Sequence, residues 1–145
     1  VCDGKIVGRG RNRRETKKTA LSHAEIEAIG KACKKLGGWR LHRCDLYVTL
    51  EPCPMCAGAI INARIKTVYY GADDPKAGSC GSLINRFDVA YNHKPDIVRG
   101  LMKDECAGVL TDFFRALRKK RKEERRLLRE QSGDALQNPE TEEVK

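Results

Sequence analysis

No stretch of the 145-residue sequence approaches the roughly 18 consecutive apolar residues that a membrane span needs, and the chain from Val1 onward lacks the basic-then-apolar pattern of a secretory leader. Both absences point to a soluble chain with no membrane partner. Nor do the cysteines form the even, closely spaced set of a disulfide-stapled secreted domain. The seven of them (Cys2, Cys33, Cys44, Cys53, Cys56, Cys80 and Cys106) are scattered, so a reducing, cytoplasmic setting is expected. Internal repeats are absent as well. At about 100–200 residues per domain, the length suits one domain with a real core.

What the chain has in excess is positive charge, and it is unevenly placed. Residues 1–18 carry seven basic side chains against two acidic ones, and residues 115–130 carry nine against three, while the body between them is close to neutral and the end, 131–145, is acidic. Basic clusters at two ends favour a polyanionic partner such as nucleic acid; a solvated charged helix fits the second cluster equally well.

The pattern alternates between strand and helix. Lys5-Ile6-Val7-Gly8-Arg9-Gly10 reads as a strand after a turn at Gly4, and Ser22 precedes a helical pattern (Ala24, Ala28, Ile29, Ala32, Cys33, Leu36) stopped by Gly37-Gly38. Leu46–Leu50 is a compact β-favouring run. Pro52 and Pro54 bracket the start of a helix through about Ala63, since proline is tolerated in a first turn. Thr67–Tyr70 reads as a strand ended by Gly71, a loop runs to Cys80, a short helical piece lies near Leu83, and a strand surrounds Ile97. One long helix is expected from Asp104 to about Glu130. Such alternation implies a layered α/β sheet. The expected organisation is one domain over 1–130, ending in the basic helix, and a disordered polar tail over 131–145.

The chemistry concentrates in His23-Ala24-Glu25 and, thirty residues after His23, in Pro52-Cys53-Pro54-Met55-Cys56. Cysteines three apart at a helix start point the same way, and the positive end of the helix dipole favours the thiolate form that a metal binds. Two sulfurs and an imidazole give Zn²⁺ three ligands and leave a fourth position for water, an arrangement suited to catalysis, with Glu25 as the group that passes the proton on. Each piece alone has a plainer explanation. Ser22-His23-Ala24-Glu25 is also a capping-box pattern, in which Glu25 would bond the Ser22 N–H. Cys53 and Cys56 also suit a redox pair or half of a structural zinc site, but the first leaves His23 and Glu25 unused and the second wants another close pair. The combination of His-x-Glu with Pro-Cys-x-x-Cys is the signature of zinc nucleobase deaminases.

On these residues the chain resembles the bacterial tRNA-specific adenosine deaminases, within the cytidine deaminase-like superfamily. The resemblance runs from about Val1 to Lys120 through Gly10-Arg11-Asn12, Ser22–Glu25, Gly38–Leu41, Leu46–Ala59, Tyr70–Lys76, Gly81–Leu83, Asn92-His93, Cys106 and Thr111–Arg115. The zinc signature alone would admit guanine, cytosine or riboflavin-pathway deaminases. Val48–Ala59 and the Asp112-Phe113-Phe114-Arg115 segment with its basic continuation are what resemble the tRNA enzymes.

The resemblance implies a three-layer α/β/α cytidine deaminase-like fold with a mixed central sheet, and hydrolysis of adenosine to inosine at the wobble position of a tRNA anticodon. It implies one zinc per subunit on His23, Cys53 and Cys56, Glu25 as proton shuttle, and Asn12 against the flipped nucleoside. Asn92 would touch the anticodon loop, Phe114, Arg115 and Arg118 would help seat the anticodon stem-loop, and the enzyme would be a homodimer. Asn12 as a turn former and Phe114 as a core aromatic are the plainer alternatives. Members of the family open with a helix and a strand that lies mid-sheet; neither precedes Val1, so the chain is expected to be a fragment lacking both. Two rivals remain: a deaminase of a free base such as guanine, and an RNA-binding module whose zinc is structural.

Overall fold

A computed structural model describes residues 1–131; the expected acidic tail lies, beyond Gln131, outside the described residues. The chain divides into two units, Val1–Ala107 and Gly108–Lys145. The first holds nearly every element. In chain order these are α1 (Arg14–Lys17), α2 (Ala24–Leu36), β1 (Asp45–Leu50), α3 (Pro54–Ala63), β2 (Thr67–Ala72), a 3₁₀ turn (Arg86–Asp88) and β3 (Asp96–Arg99). The described part of the second unit is helical throughout, as part of α4 (Lys103–Gln131).

The sheet has the order β1-β2-β3 and all three strands are parallel, with Tyr47, Tyr69 and Val98 side by side in one row. Parallel neighbours need a crossover, which α3 supplies between β1 and β2. Antiparallel pairing among the described residues is confined to isolated bridges, Cys2 with Lys5 and with Cys44, and Cys80 with Asn85. The core lies where α2 and α3 cover the sheet: Leu46 and Val68 meet Ala32, Ala57, Ile60 and Ile61, with Tyr70 and Phe87 the largest fully buried rings. In the exposed row, Tyr47 and Tyr69 stack with centroids 4.5 Å apart.

Helix ends follow their sequence signals. α2 stops at Gly37, whose φ of 69° is the left-handed conformation that glycine adopts without penalty. Beyond it Trp39, half exposed, carries the Arg40 guanidinium 4.1 Å from its ring centroid. α3 starts with Pro54 at its first position and ends on Arg64, which takes the left-handed conformation without being glycine; its guanidinium donates to the Ile61 carbonyl at 2.9 Å.

Three expectations need correction. Residues 5–10 do not form a strand, and without it the sheet among the described residues is all parallel rather than mixed. Gly8 and Gly10 let the segment lie against α2, where a Cβ would run into the carbonyls of Ala28 and Ala24, and Lys31 and Lys35 donate side-chain bonds to the Arg9 and Ile6 carbonyls. β2 does not end at Gly71 but continues to Ala72, because Gly71 sits in the strand as the one residue type that clears the Cys106 side chain. The helical piece expected near Leu83 is the 3₁₀ turn at Arg86–Asp88, capped by Asn85 Oδ1 accepting the Phe87 N–H at 3.1 Å. The short α1 has no counterpart in the sequence pattern.

Candidate active site

Two helix starts converge. His23 is the N-cap of α2 in extended conformation, Cys53 is the N-cap of α3, and Cys56 lies in the first turn of α3. His23 Nδ1 is 3.6 Å from Cys53 Sγ and 3.6 Å from Cys56 Sγ. A nitrogen at about 2.05 Å and a sulfur at about 2.3 Å on a tetrahedral zinc ion would be about 3.5 Å apart, so this spacing is compatible with three side chains that could hold such an ion. Among the described residues the cluster has these three members. Burial pushes the Cys56 thiol well above its ordinary range, and the neighbouring Glu25 and Cys53 add to the effect. A thiol so placed ionises when a cation compensates it, which is the chemistry of a thiolate metal ligand.

Glu25 is 8% exposed in the first turn of α2. The capping-box alternative fails on geometry: the N-cap is His23, not Ser22, and no side-chain capping bond is made. The Ser22 N–H goes instead to the Thr19 carbonyl. The Glu25 carboxyl lies against Cys56, and one side of the residue lines a cleft of about 380 Å³ between residues 6–10 and β1.

A residue that the motifs do not single out is Glu51, two residues before Cys53 and 2% exposed. Its Oε1 accepts the N–H groups of Cys80 at 2.8 Å and Ser82 at 3.0 Å, and its Oε2 accepts that of Asp74 at 3.1 Å. Burial acts to raise this carboxyl, but the bonds from Ser82, Asp74 and Cys80 outweigh it and hold it below its ordinary value. The available signal was an acid between an apolar strand and a proline, followed by a glycine-rich loop. Cys80 borders the same region; burial, with the charge of Glu51 next, pushes its thiol up to about 12.

The peripheral residues are more dispersed. Asn12 is exposed and its Oδ1 accepts the Arg14 N–H at 3.1 Å, the bond of a turn former at the head of α1. Asn92 is exposed, and its neighbour His93 donates from Nε2 to the Ile65 carbonyl at 2.7 Å. In the second unit Phe114 is 49% exposed, edge-to-face with Phe113, so it is not a core aromatic. Arg115 pairs with Asp112 at 2.8 Å, and Arg118 is exposed.

Comparison with known proteins adds to this geometry. The MafB19-like deaminase family model matches residues 1–118. The tRNA-specific adenosine deaminase of Bacillus subtilis (strain 168) is 49% identical over 131 residues, covering 90% of this chain and 81% of the relative. A solved structure from studies of A-to-I editing by tRNA:A34 deaminases at the wobble position of transfer RNA superposes with a TM-score of 0.73 at 46% identity, over 75% of this chain and 80% of that one. A guanine deaminase from Bacillus subtilis is more distant, with a TM-score of 0.51 and 35% identity over 82% of this chain and 76% of that one.

Proposed function

Since the chain belongs to the MafB19-like deaminase family, as a relative of the tRNA-specific adenosine deaminases, we propose that it hydrolyses adenosine to inosine at the wobble position of a tRNA anticodon. The observation that carries the chemistry is the convergence of His23 Nδ1 with two thiols at 3.6 Å, beside a buried carboxyl that does not cap its helix. His23, Cys53 and Cys56 would hold one zinc ion, which when bound supplies Lewis-acid activation of water near neutral pH. Three protein ligands suit a catalytic zinc, whereas a structural one takes four.

Glu25 does the proton work. Its carboxylate takes one proton from the attacking water as the bond from oxygen to carbon 6 forms and gives it to the ring nitrogen, then takes the remaining hydroxyl proton and gives it to the departing amine as the carbon–nitrogen bond breaks. Adenosine and water give inosine and ammonia. Burial keeps this carboxyl out of bulk solvent, so the proton is passed within the site rather than exchanged.

The substrate is the anticodon stem-loop, whose single-stranded bases splay out at less cost than duplex bases. Asn12 contacts the extruded nucleoside and Asn92 the loop. Exposed Phe114, Arg115 and Arg118 supply a stacking surface and phosphate contacts, and the enzyme works as a cytoplasmic homodimer. No described helix is long and apolar enough to cross a membrane. The test offers the protein an adenosine-containing anticodon stem-loop, free guanine and cytidine. Inosine in the stem-loop is the expected product, and ammonia from guanine alone would move the assignment to the free-base deaminases.

A further inference from the structure

Glu51 is the buried carboxylate that the proton chemistry leaves unused. Its own N–H is fixed to the Ala72 carbonyl at 2.9 Å, at the end of β2, and its two oxygens gather the main chain of Asp74, Cys80 and Ser82. The gathered loop in turn grips the segment that follows Glu51: the Ser79 N–H donates to the Pro52 carbonyl at 2.9 Å. That carbonyl belongs to the peptide leading into Cys53. Asp74 Oδ1 closes the loop's turn by accepting the N–H groups of Lys76 and Ala77, and Gly78 passes so near the Glu51 carboxylate that any Cβ there would strike it.

We propose that Glu51 is a positioning residue for Cys53, clamping residues 74–82 so that the Pro52–Cys53 peptide, and with it the thiolate, is held in the orientation that meets His23. The logic is that of groups outside a metal's own ligands, which set ligand direction and whose loss weakens metal binding by about 10- to 100-fold. A carboxylate suits this clamp because it only accepts, and all three partners donate. Glu51→Gln keeps the shape but turns one oxygen into an NH₂ that faces a donor.

This inference rests on the reading of His23, Cys53 and Cys56 as a zinc site, and the experiment separates the two. Zinc affinity of the full chain is measured by chelator competition, and the visible spectrum of the Co²⁺ form reports ligand geometry without any turnover. Wild type that binds neither ion overturns the metal site itself. With the metal site intact, Glu51→Gln is expected to bind zinc about 10- to 100-fold more weakly and to show altered cobalt bands. Ile60→Val, a conservative change in the core, should lower the melting temperature while leaving affinity and bands as in wild type. Wild-type affinity and bands in Glu51→Gln overturn the proposal, whatever happens to its melting temperature. If that variant does not fold, Gly78→Ala presses on the same carboxylate from the loop side, and Glu51→Asp withdraws it by one methylene. Weaker zinc binding with altered bands in either supports the clamp, and unchanged binding in both overturns it.

Discussion

Glu25 and Glu51 are both carboxylates buried near the cluster of His23, Cys53 and Cys56, and their surroundings differ. Glu51 is saturated by three main-chain donors and so is committed to holding its loop, whereas Glu25 has no capping bond and faces Cys56. A carboxyl kept free of main-chain donors is the one able to exchange protons with a substrate. Glu25→Ala is therefore expected to retain zinc and fold normally while inosine formation falls by at least about 10²–10⁴-fold, as single-turnover assays and metal analysis would show. A helix-capping glutamate would instead lose about 1 kcal/mol of stability and keep its activity.

Among the elements, those whose signals are local were legible in the sequence. The β-branched and aromatic runs gave β1 and β2, Gly37 stopped α2, and Pro54 opened α3, each through a rule that acts within a few residues. The His-x-Glu and Cys-x-x-Cys spacings pointed to the cluster of His23, Cys53 and Cys56 for the same reason. Residues 5–10 carry equally good strand residues, but a strand exists only if a neighbour pairs with it, and here the glycines draw the segment onto α2. α1, with its Arg-Glu-Thr-Lys sequence and no apolar periodicity, left no pattern to find, and Glu51, whose partners are main-chain atoms far along the chain, left only its place between an apolar strand and a proline. The basic half of α4 makes a prediction of its own. Arg115, Arg118, Lys119 and Lys122 follow one helical face at spacings of three and four, and neutralising all four should weaken tRNA binding and reduce the log–log salt slope by about 0.7–0.9 for each phosphate no longer neutralised. Binding measured across a salt series checks it, and an unchanged slope would remove this helix from the RNA site.

On the scale of the whole molecule, stability is expected to respond to metal and to pH. Removing zinc with a chelator should lower the melting temperature of the first unit, since an ion present at about 100 times its dissociation constant contributes about 2.7 kcal/mol to the state that binds it. The Cys44 thiol is pushed up to about 11 by burial first and by its neighbour Cys2 next. Because the folded protein holds this proton where the unfolded chain has already released it, the contribution is full below about pH 8.5 and is lost as pH rises toward 11. Melting temperatures should fall through that window, and Cys44→Ala should flatten the decline. The aromatic residues determine how such melts are read. The single tryptophan, Trp39, and all four tyrosines (Tyr47, Tyr69, Tyr70 and Tyr91) belong to Val1–Ala107, and Gly108–Lys145 has only Phe113 and Phe114. Fluorescence is thus blind to the basic helix. Trp39 is half in water already and lies under Arg40, so unfolding should change its emission intensity more than its wavelength, while the stacked Tyr47–Tyr69 pair should contribute to the near-ultraviolet dichroism. Amide dichroism sees both units, and any gap between its midpoint and that of the fluorescence measures how independently the basic helix melts from Val1–Ala107.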